Sequence, residues 1–543
     1  MGYEYNTKAL LLNVPLENDY KNTLYFTSKE QQEEYFKSRM VRTYNDFSYQ
    51  RKDEPVRIST VDSNGLVSEY DDLINAGVNY VMYQNSNETD KWFYAFITDI
   101  KYISNGIVEI YIETDVIQTW LFDYKVKSSF IEREHVSDDT IGKHTIPENL
   151  ELGEYVCVRK EEIDFGDMYI VVATTQMGTN KVKGGIYGGC YSGVQYYAVK
   201  TTQFSAINTF IETLQEEAAV DAIQAIFLAP AFIVEDIINE DSIVNGNFNA
   251  SQTQESIPKN YSILENYSPS NKKLYTHPFN YLLASNNNGA SAIYRYEDFH
   301  GEKQEEGFKD TCLFNVYGTI CPGGSIKLVP LYYKGMNENL DEGLNAGKFP
   351  ICNWNSDVYI NWLTQNGVNI ALSLGTSAFQ VAGGGLMMAT GGGALAGAGM
   401  IGSGALGIAQ TIGQVHQQSM TPPQAEGNLN CGDVLTAMGK NNITLCQMTI
   451  KGEYAQIIDK YFHMFGYKVN RVKKPNKAHR SRFWYTKTID VNIDGAIPNK
   501  DMQTIKNAYN NGITFWRNAS EIQDYSLDNS ISITNGAITD EEG

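Results

Sequence analysis

The sequence predicts a β-rich α+β protein of several domains, interrupted by one long uncharged segment. Three observations carry this reading. Tyrosine is abundant, with 36 residues beside 23 Phe and 6 Trp, and aromatic side chains suit the half-buried face of a sheet. The string ISNGIVEIYIET sets an Asn-Gly pair between extended runs, a strong hairpin signal because both residues tolerate positive φ. Residues 358–425 hold no Asp, Glu, Lys or Arg in a chain that is 20% charged.

Length and charge narrow the function. A chain of 543 residues outgrows a single core and implies roughly two to four domains. A net charge of −21 argues against a nucleic-acid reader, whose footprint is basic. It is compatible with nucleic acid as cargo, since an acidic wall repels phosphates and lets them slide past. The cysteines (Cys157, Cys190, Cys312, Cys321, Cys352, Cys431 and Cys446) are odd in number, scattered and without a CxxC pair. They read as small buried hydrophobes of a protein made in a reducing cytoplasm, not as a disulfide framework or zinc site. The start, MGYEYNTKALLLNV, has a short apolar run with no basic region before it, so no signal peptide is expected.

Taken in order, residues 1–150 are β-dominated. A strand is expected over 9–14, a turn at Glu17-Asn18-Asp19, and a capping box of Ser28 and Gln31 opening a helix through Phe36. The hairpin pairs 91–103 with 107–114. Its second strand alternates Val108, Ile110 and Ile112 with Glu109, Tyr111 and Glu113, which predicts one packed wall and one acidic wall.

Residues 151–357 read as an α+β domain inserted into the first. Strands are expected over 155–160, 168–174, 282–285, 292–296 and 326–333, with a glycine turn at 184–189. Ile207, Phe210, Ile211, Leu214 and Ala218 give 205–223 a helical period, and 225–232 continues apolar. Residues 245–272, rich in Asn, Ser and Gln, read as exposed loop. After the uncharged segment 358–425, Pro422-Pro423 marks a stop, and residues 426–543 return to mixed structure. A strand over 443–451 precedes a helix with Tyr454, Ile457, Ile458, Tyr461, Phe462 and Phe465 on one face, closed by Gly466. Strands over 467–472 and 483–491, a helix over 500–509 ending at Asn510-Asn511-Gly512, and a strand over 513–516 follow. The acidic tail 540–543 reads as disordered.

The uncharged segment admits three readings. A buried core helix conflicts with its many glycines, each costing ~1 kcal/mol in a helix interior. An ordinary anchor needs ~20 apolar residues per crossing, and two crossings fit at 369–388 and 391–414. Its flanks, however, lack the Lys/Arg asymmetry that orients an anchor. The favoured reading is a conditional segment, stored away from water and later released into a bilayer. Its centre, GGGLMMATGGGALAGAGMIGSGALG, places small residues such as Gly393, Ala394, Gly397 and Ala398 where helices can approach closely in lipid. Ser373, Thr376, Ser377, Thr390, Ser403 and Thr411 keep it only moderately hydrophobic.

Catalytic patterns are missing. His135, His144, His277, His300, His416, His463 and His479 form no HExxH or HxH spacing, and there is no GxSxG elbow or P-loop. No catalytic, cofactor or metal residue is expected. Glu132, Glu134 and His135 in FIEREHV can be drawn as an acid/base cluster, but a charged strand edge or subunit contact is favoured. Arg471, Lys473, Lys474, Lys477, Arg480 and Arg482 form the one basic cluster. It suits either a phosphate or anionic-lipid contact or an inter-subunit salt-bridge belt, and the belt is favoured.

Several strings together resemble a known family. NDYKNTLYFTS, YQNSNETDKWFYAFITDI, ETDVIQTWLFDYKVKSSFIEREHV, YFHMFGYKVNRVKKPN and NGITFW resemble the tail knob (distal tail tube) proteins of short-tailed bacteriophages of Gram-positive bacteria. The resemblance is specific over about 1–140 and 440–520. It implies a homohexameric tube at the distal end of the virion tail, with β-barrel walls built by the N- and C-terminal parts. Long hydrophobic loops, carried here onto about 366–423, would plug the lumen and later exit to form a channel in the host cell membrane. The implied loop residues are Leu374, Phe379, Val381, Gly384, Leu386, Met387, Met388, Gly392, Leu395, Gly397, Met400, Ile401, Leu406 and Ile408. Implied partners are further copies of the chain, upper tail tube or collar proteins, the host membrane, and phage DNA as cargo without sequence-specific binding. Assembly would take place in the host cytoplasm, and no cofactor is implied. Three alternatives remain: an adaptor or plug without membrane activity, a tail-associated wall-degrading enzyme, and a cellular multi-domain membrane protein.

Overall fold

Long apolar runs near the N-terminus become strands buried on both faces. The computed structural model describes residues 6–200, 223–230, 244–245, 252–353 and 442–531, with short interruptions inside those ranges. The chain divides into two units: Met1–Glu151, Pro269–Lys273 and Ala455–Gly543 form the first, and Leu152–Ser268 with Leu274–Tyr454 the second. Among the described residues the protein is β-rich with few helices. The segment 358–425, including every candidate loop residue named above, lies outside the described residues, as do Pro422-Pro423 and the tail 540–543.

The first unit holds two large sheets. In the six-stranded one the order is Met40–Phe47, Thr7–Leu12, Tyr80–Asn85, Phe93–Ser104, Ile107–Thr114 and Val56–Ser59. Period-two alternation sends Ala9 and Leu11 into one core with Tyr83, Ala95, Val108 and Ile110, while Leu10 and Leu12 enter a second with Tyr80, Met82 and Phe96. Double coverage explains why ALLL reads as continuously apolar rather than alternating. The expected hairpin is present, pairing Ile100 with Ile110 and Tyr102 with Val108.

Its acidic wall is only partly as expected. Glu109 is itself buried, because Arg57 on the neighbouring strand meets it at 2.7 Å and the Tyr111 hydroxyl donates to it at 3.0 Å. Those two contacts hold its carboxyl below the usual range.

The five-stranded sheet runs Asn22–Leu24, Ile513–Trp516, Phe483–Asp490, Ser129–Glu134 and Tyr467–Lys473. It joins the two ends of the chain. Asn22–Leu24 pairs parallel with Ile513–Trp516, and the Trp516 indole N–H donates to Asn22 at 2.9 Å. Phe483 and Trp516 pack at 4.5 Å between ring centroids, in the same core as Leu10, Leu12 and Phe36.

Helix ends follow their capping residues. Ser28 accepts from the Gln31 N–H at 3.2 Å to open Lys29–Ser38. The Gln31 side chain returns to the Thr27 N–H at 2.9 Å, one residue earlier than a standard capping box. Gly466, at φ +65°, closes Gly452–Phe465. That helix buries Ala455, Ile458 and Phe462, whereas Ile457 is 64% exposed; the apolar stripe is narrower than expected.

The second unit is described as strands with short 3-10 turns. Tyr155–Asp164, Asn442–Ile450, Asn280–Ser285 and Ser291–Tyr294 form one sheet in that order. The helix expected over 205–223 lies outside the described residues apart from Ile223, which begins the strand Ile223–Pro230. The loop expected over 245–272 is corrected in part. Gln252–Pro258 is a strand, paired from Gln252 with Tyr317 to Pro258 with Thr311. That partner is distant in sequence and supplies the ladder that local composition does not announce.

Candidate functional site

Among the described residues, the sequence-derived candidates gather on the five-stranded sheet. Ser129–Glu134 is an interior strand, flanked by Phe483–Asp490 and Tyr467–Lys473. The strand edge expected for Glu132 and Glu134 is therefore corrected. Each carboxylate is paired across the sheet instead: Glu132 with Lys487 at 2.9 Å on one side, Glu134 with Lys473 at 2.6 Å on the other. Glu134 also accepts the Asn476 N–H at 2.8 Å. Burial nonetheless pushes its carboxyl up, against the pull of Lys473.

His135 is fully engaged. Its Nδ1 accepts the Tyr485 N–H at 2.7 Å and its Nε2 donates to the His463 carbonyl at 2.9 Å. Burial, then the Arg480 charge, pushes its pKa down to about 3, so the ring stays neutral with both nitrogens occupied. Glu134 and His135 are buried among structural partners, and Glu132 is ion-paired with Lys487, so the three converge on no common point. The acid/base drawing has no geometric support.

The basic cluster splits in two. Lys473 binds Glu134, Arg480 donates to the Val136 and Asn529 carbonyls at 3.1 and 3.3 Å, and Arg482 reaches Glu521 at 2.5 Å and the Asp528 carbonyl at 3.1 Å. These three tie the 474–482 loop and the C-terminal segment to the sheet. Arg471, Lys474 and Lys477 are exposed and make no ion pair among the described residues. Arg471 sits on Tyr467–Lys473, the edge strand, beside Val472, which is 67% exposed. Exposed cations on an open edge discourage uncontrolled strand addition.

Sequence reading missed a buried ion triad beneath this edge. Glu148 takes Arg133 through one oxygen and Lys273 through the other, and also accepts the Lys468 N–H at 2.9 Å. Its partners come from three separate segments, the farthest 320 residues away in sequence, and no local pattern marks it. Removing Glu148 would leave two buried cations unpaired, and an unpaired buried charge costs ~3–5 kcal/mol. A cavity of about 190 Å³ is walled by Tyr25, Tyr124, Trp484, Tyr509 and Phe515, with Lys477 as its one charged lining residue. None of Glu132, Glu134 and His135 lines it.

No described group of three His, Cys, Asp or Glu side chains is placed to hold a metal ion. No helix among the described residues is long and apolar enough to cross a membrane. What the candidates share is joining the chain ends into one sheet.

Comparison with known proteins identifies that sheet's context. The family model of the C-terminal domain of the Bacillus phage phi29 tail knob protein gp9 matches residues 245–530, more than half of the chain. The chain belongs to the phage tail knob family. A second model, the caudoviral major tail protein N-terminus, matches residues 5–125. The phi29 tail knob protein is 27% identical, the alignment covering 96% of this chain and 98% of its own. The knob protein of Bacillus phage B103 is 26% identical, with 96% and 97% covered. The bacteriophage C1 tail knob protein gp12 has the same fold, with a TM-score of 0.59, 15% identity, and 97% and 100% coverage. As a tail knob protein, the chain is a virion component of a phage tail and associates there with other tail proteins.

Proposed function

We propose that the chain forms the distal tail tube of a short-tailed phage as a ring of six copies. Its 366–423 segments plug the lumen and, on infection, leave it to open a passage for DNA through the host cell membrane. In this reading the protein is structural and carries out no reaction. The N- and C-terminal parts build the tube wall, and residues 151–357 form an inserted domain. DNA passes as cargo, repelled by a chain of net charge −21.

The observation that carries this is the 358–425 segment without Asp, Glu, Lys or Arg. Within one copy such a length is hard to hide, but six around an axis bury it against each other. No charged side chain then has to enter the bilayer, each of which costs ~2.5–3.5 kcal/mol at a helix centre. Close glycine and alanine spacing supports packing both in a bundle and in lipid. A second reading, a plug that never enters lipid, is favoured by the scattered Ser and Thr residues of the same segment.

Dye release from liposomes separates the two. Purified full-length protein is expected to release dye, on acidification or after limited proteolysis, and a variant lacking 366–423 is expected to release none. Equal release by both, or none from the full-length protein under any condition, removes the membrane role. Zymography on cell-wall substrate addresses the enzyme alternative, and no clearing is expected.

A further inference from the structure

The cysteines were read from sequence as buried hydrophobes, and the second unit departs from that. Cys312 is buried, but Cys157 is exposed and Cys446 half-buried. Tyr155–Asp164 is the edge strand of its sheet, which leaves one side of Cys157 open to solvent. Asn442–Ile450 pairs with it antiparallel, Cys157 opposite Met448 and Lys160 opposite Cys446. Residues two apart on a strand share a face, so Cys446 lies on the face of Met448 and hence on that of Cys157. The register slips between Cys157 and Arg159, and such a bulge increases local twist and re-aims side chains. The two thiols act on one another across the pair: burial first, and then Cys157, pushes the Cys446 thiol up to about 11. The Cys157 thiol also donates to the Arg159 carbonyl at 3.3 Å.

We propose that Cys157 and Cys446 are a redox pair that closes to an intrachain cross-strand disulfide when the protein meets a low-molecular-weight disulfide. Cys157, the more accessible, attacks as thiolate on one sulfur of the small disulfide. A mixed disulfide forms and one small thiolate leaves. Cys446, after losing its proton to solvent, attacks the Cys157 sulfur of that mixed disulfide and expels the second small thiolate. The two protein thiols lose two electrons, the small disulfide gains them, and the two protons end on the released thiols. The Lys160 charge pulls against the burial that raises the Cys446 thiol. Chemically, the bond would staple the strand that follows residue 151 to the strand that follows the uncharged segment.

The test uses the full chain, purified reduced, then equilibrated with oxidised glutathione. Remaining thiols are alkylated and the protein is digested without reductant for mass mapping. The expected result is a linked peptide joining Cys157 to Cys446, with loss of two thiols per chain. It should reverse with dithiothreitol and be accompanied by a rise in Tm. Cys157→Ser and Cys446→Ser should each abolish both the link and the Tm rise, with the remaining cysteine carrying glutathione or staying free, while Cys312→Ser leaves the link intact. The proposal is overturned if Cys157 and Cys446 are alkylated independently at every glutathione ratio, if they link between chains rather than within one, or if the link forms without changing Tm.

Discussion

His135 shows how a single residue sets a pH limit. Its ring is held neutral with both nitrogens used, and its pKa is pushed down to about 3, whereas in the unfolded chain it sits near 6.5. Between those values the unfolded chain binds a proton that the folded chain refuses. Stability is therefore full above about pH 6.5 and falls as pH drops toward 3, by at most ~1.4 kcal/mol per pH unit for this one group. Asp115 acts oppositely: burial raises it to about 6, so the folded chain gains protons there first. The histidine contribution is consequently read as a difference. Urea midpoints of the wild type and His135→Gln, taken from pH 7 to pH 4.5, should converge as pH falls. Parallel curves would show that His135 does not titrate against folding.

The elements show where local sequence was legible. Met168–Thr174 and Ile513–Trp516 have the bounds expected from their apolar runs, and the Asn-Gly hairpin fell where its turn chemistry places it. Ser28 and Gly466 marked helix ends because capping is a property of a few adjacent residues. Gln252–Pro258 was missed for the converse reason: its ladder comes from Thr311–Gly318. The pairing of Asn22–Leu24 with Ile513–Trp516 and the closure of Glu148 by Lys273 likewise depend on contacts far along the chain. Of the candidate site, the basic residues could be found by charge alone. Which of them pair internally could not.

Gly466 turns this into a prediction about an element. It is left-handed at φ +65°, and a Cβ there would run into the main chain of Glu134 and His135. Gly65, at φ +79°, has nothing within 4 Å of such an atom. Gly65→Ala should therefore cost only the left-handed conformation, ~1–2 kcal/mol. Gly466→Ala should cost clearly more, because the helix end and the strand Ser129–Glu134 must also separate. Equal losses in chemical denaturation would mean the close approach is not a constraint.

For the whole molecule, a sheet assembled from both chain ends gives the first unit a frame independent of the uncharged segment. Residues 353 and 442, on either side of 354–441, each lie in a strand: Ile351–Asn353 and Asn442–Ile450. A segment anchored at both ends in sheet can rearrange without unfolding its supports, which suits a stored and releasable loop. Family membership places the chain in a phage tail, and plug and release are the proposal drawn from the segment's composition. The measurement that bears most directly on this account is single-particle imaging of purified full-length protein beside a variant lacking 366–423. Six-fold rings are predicted for both, with the lumen filled in the full-length protein and open in the variant. Monodisperse monomers, or an open lumen in both, would contradict it.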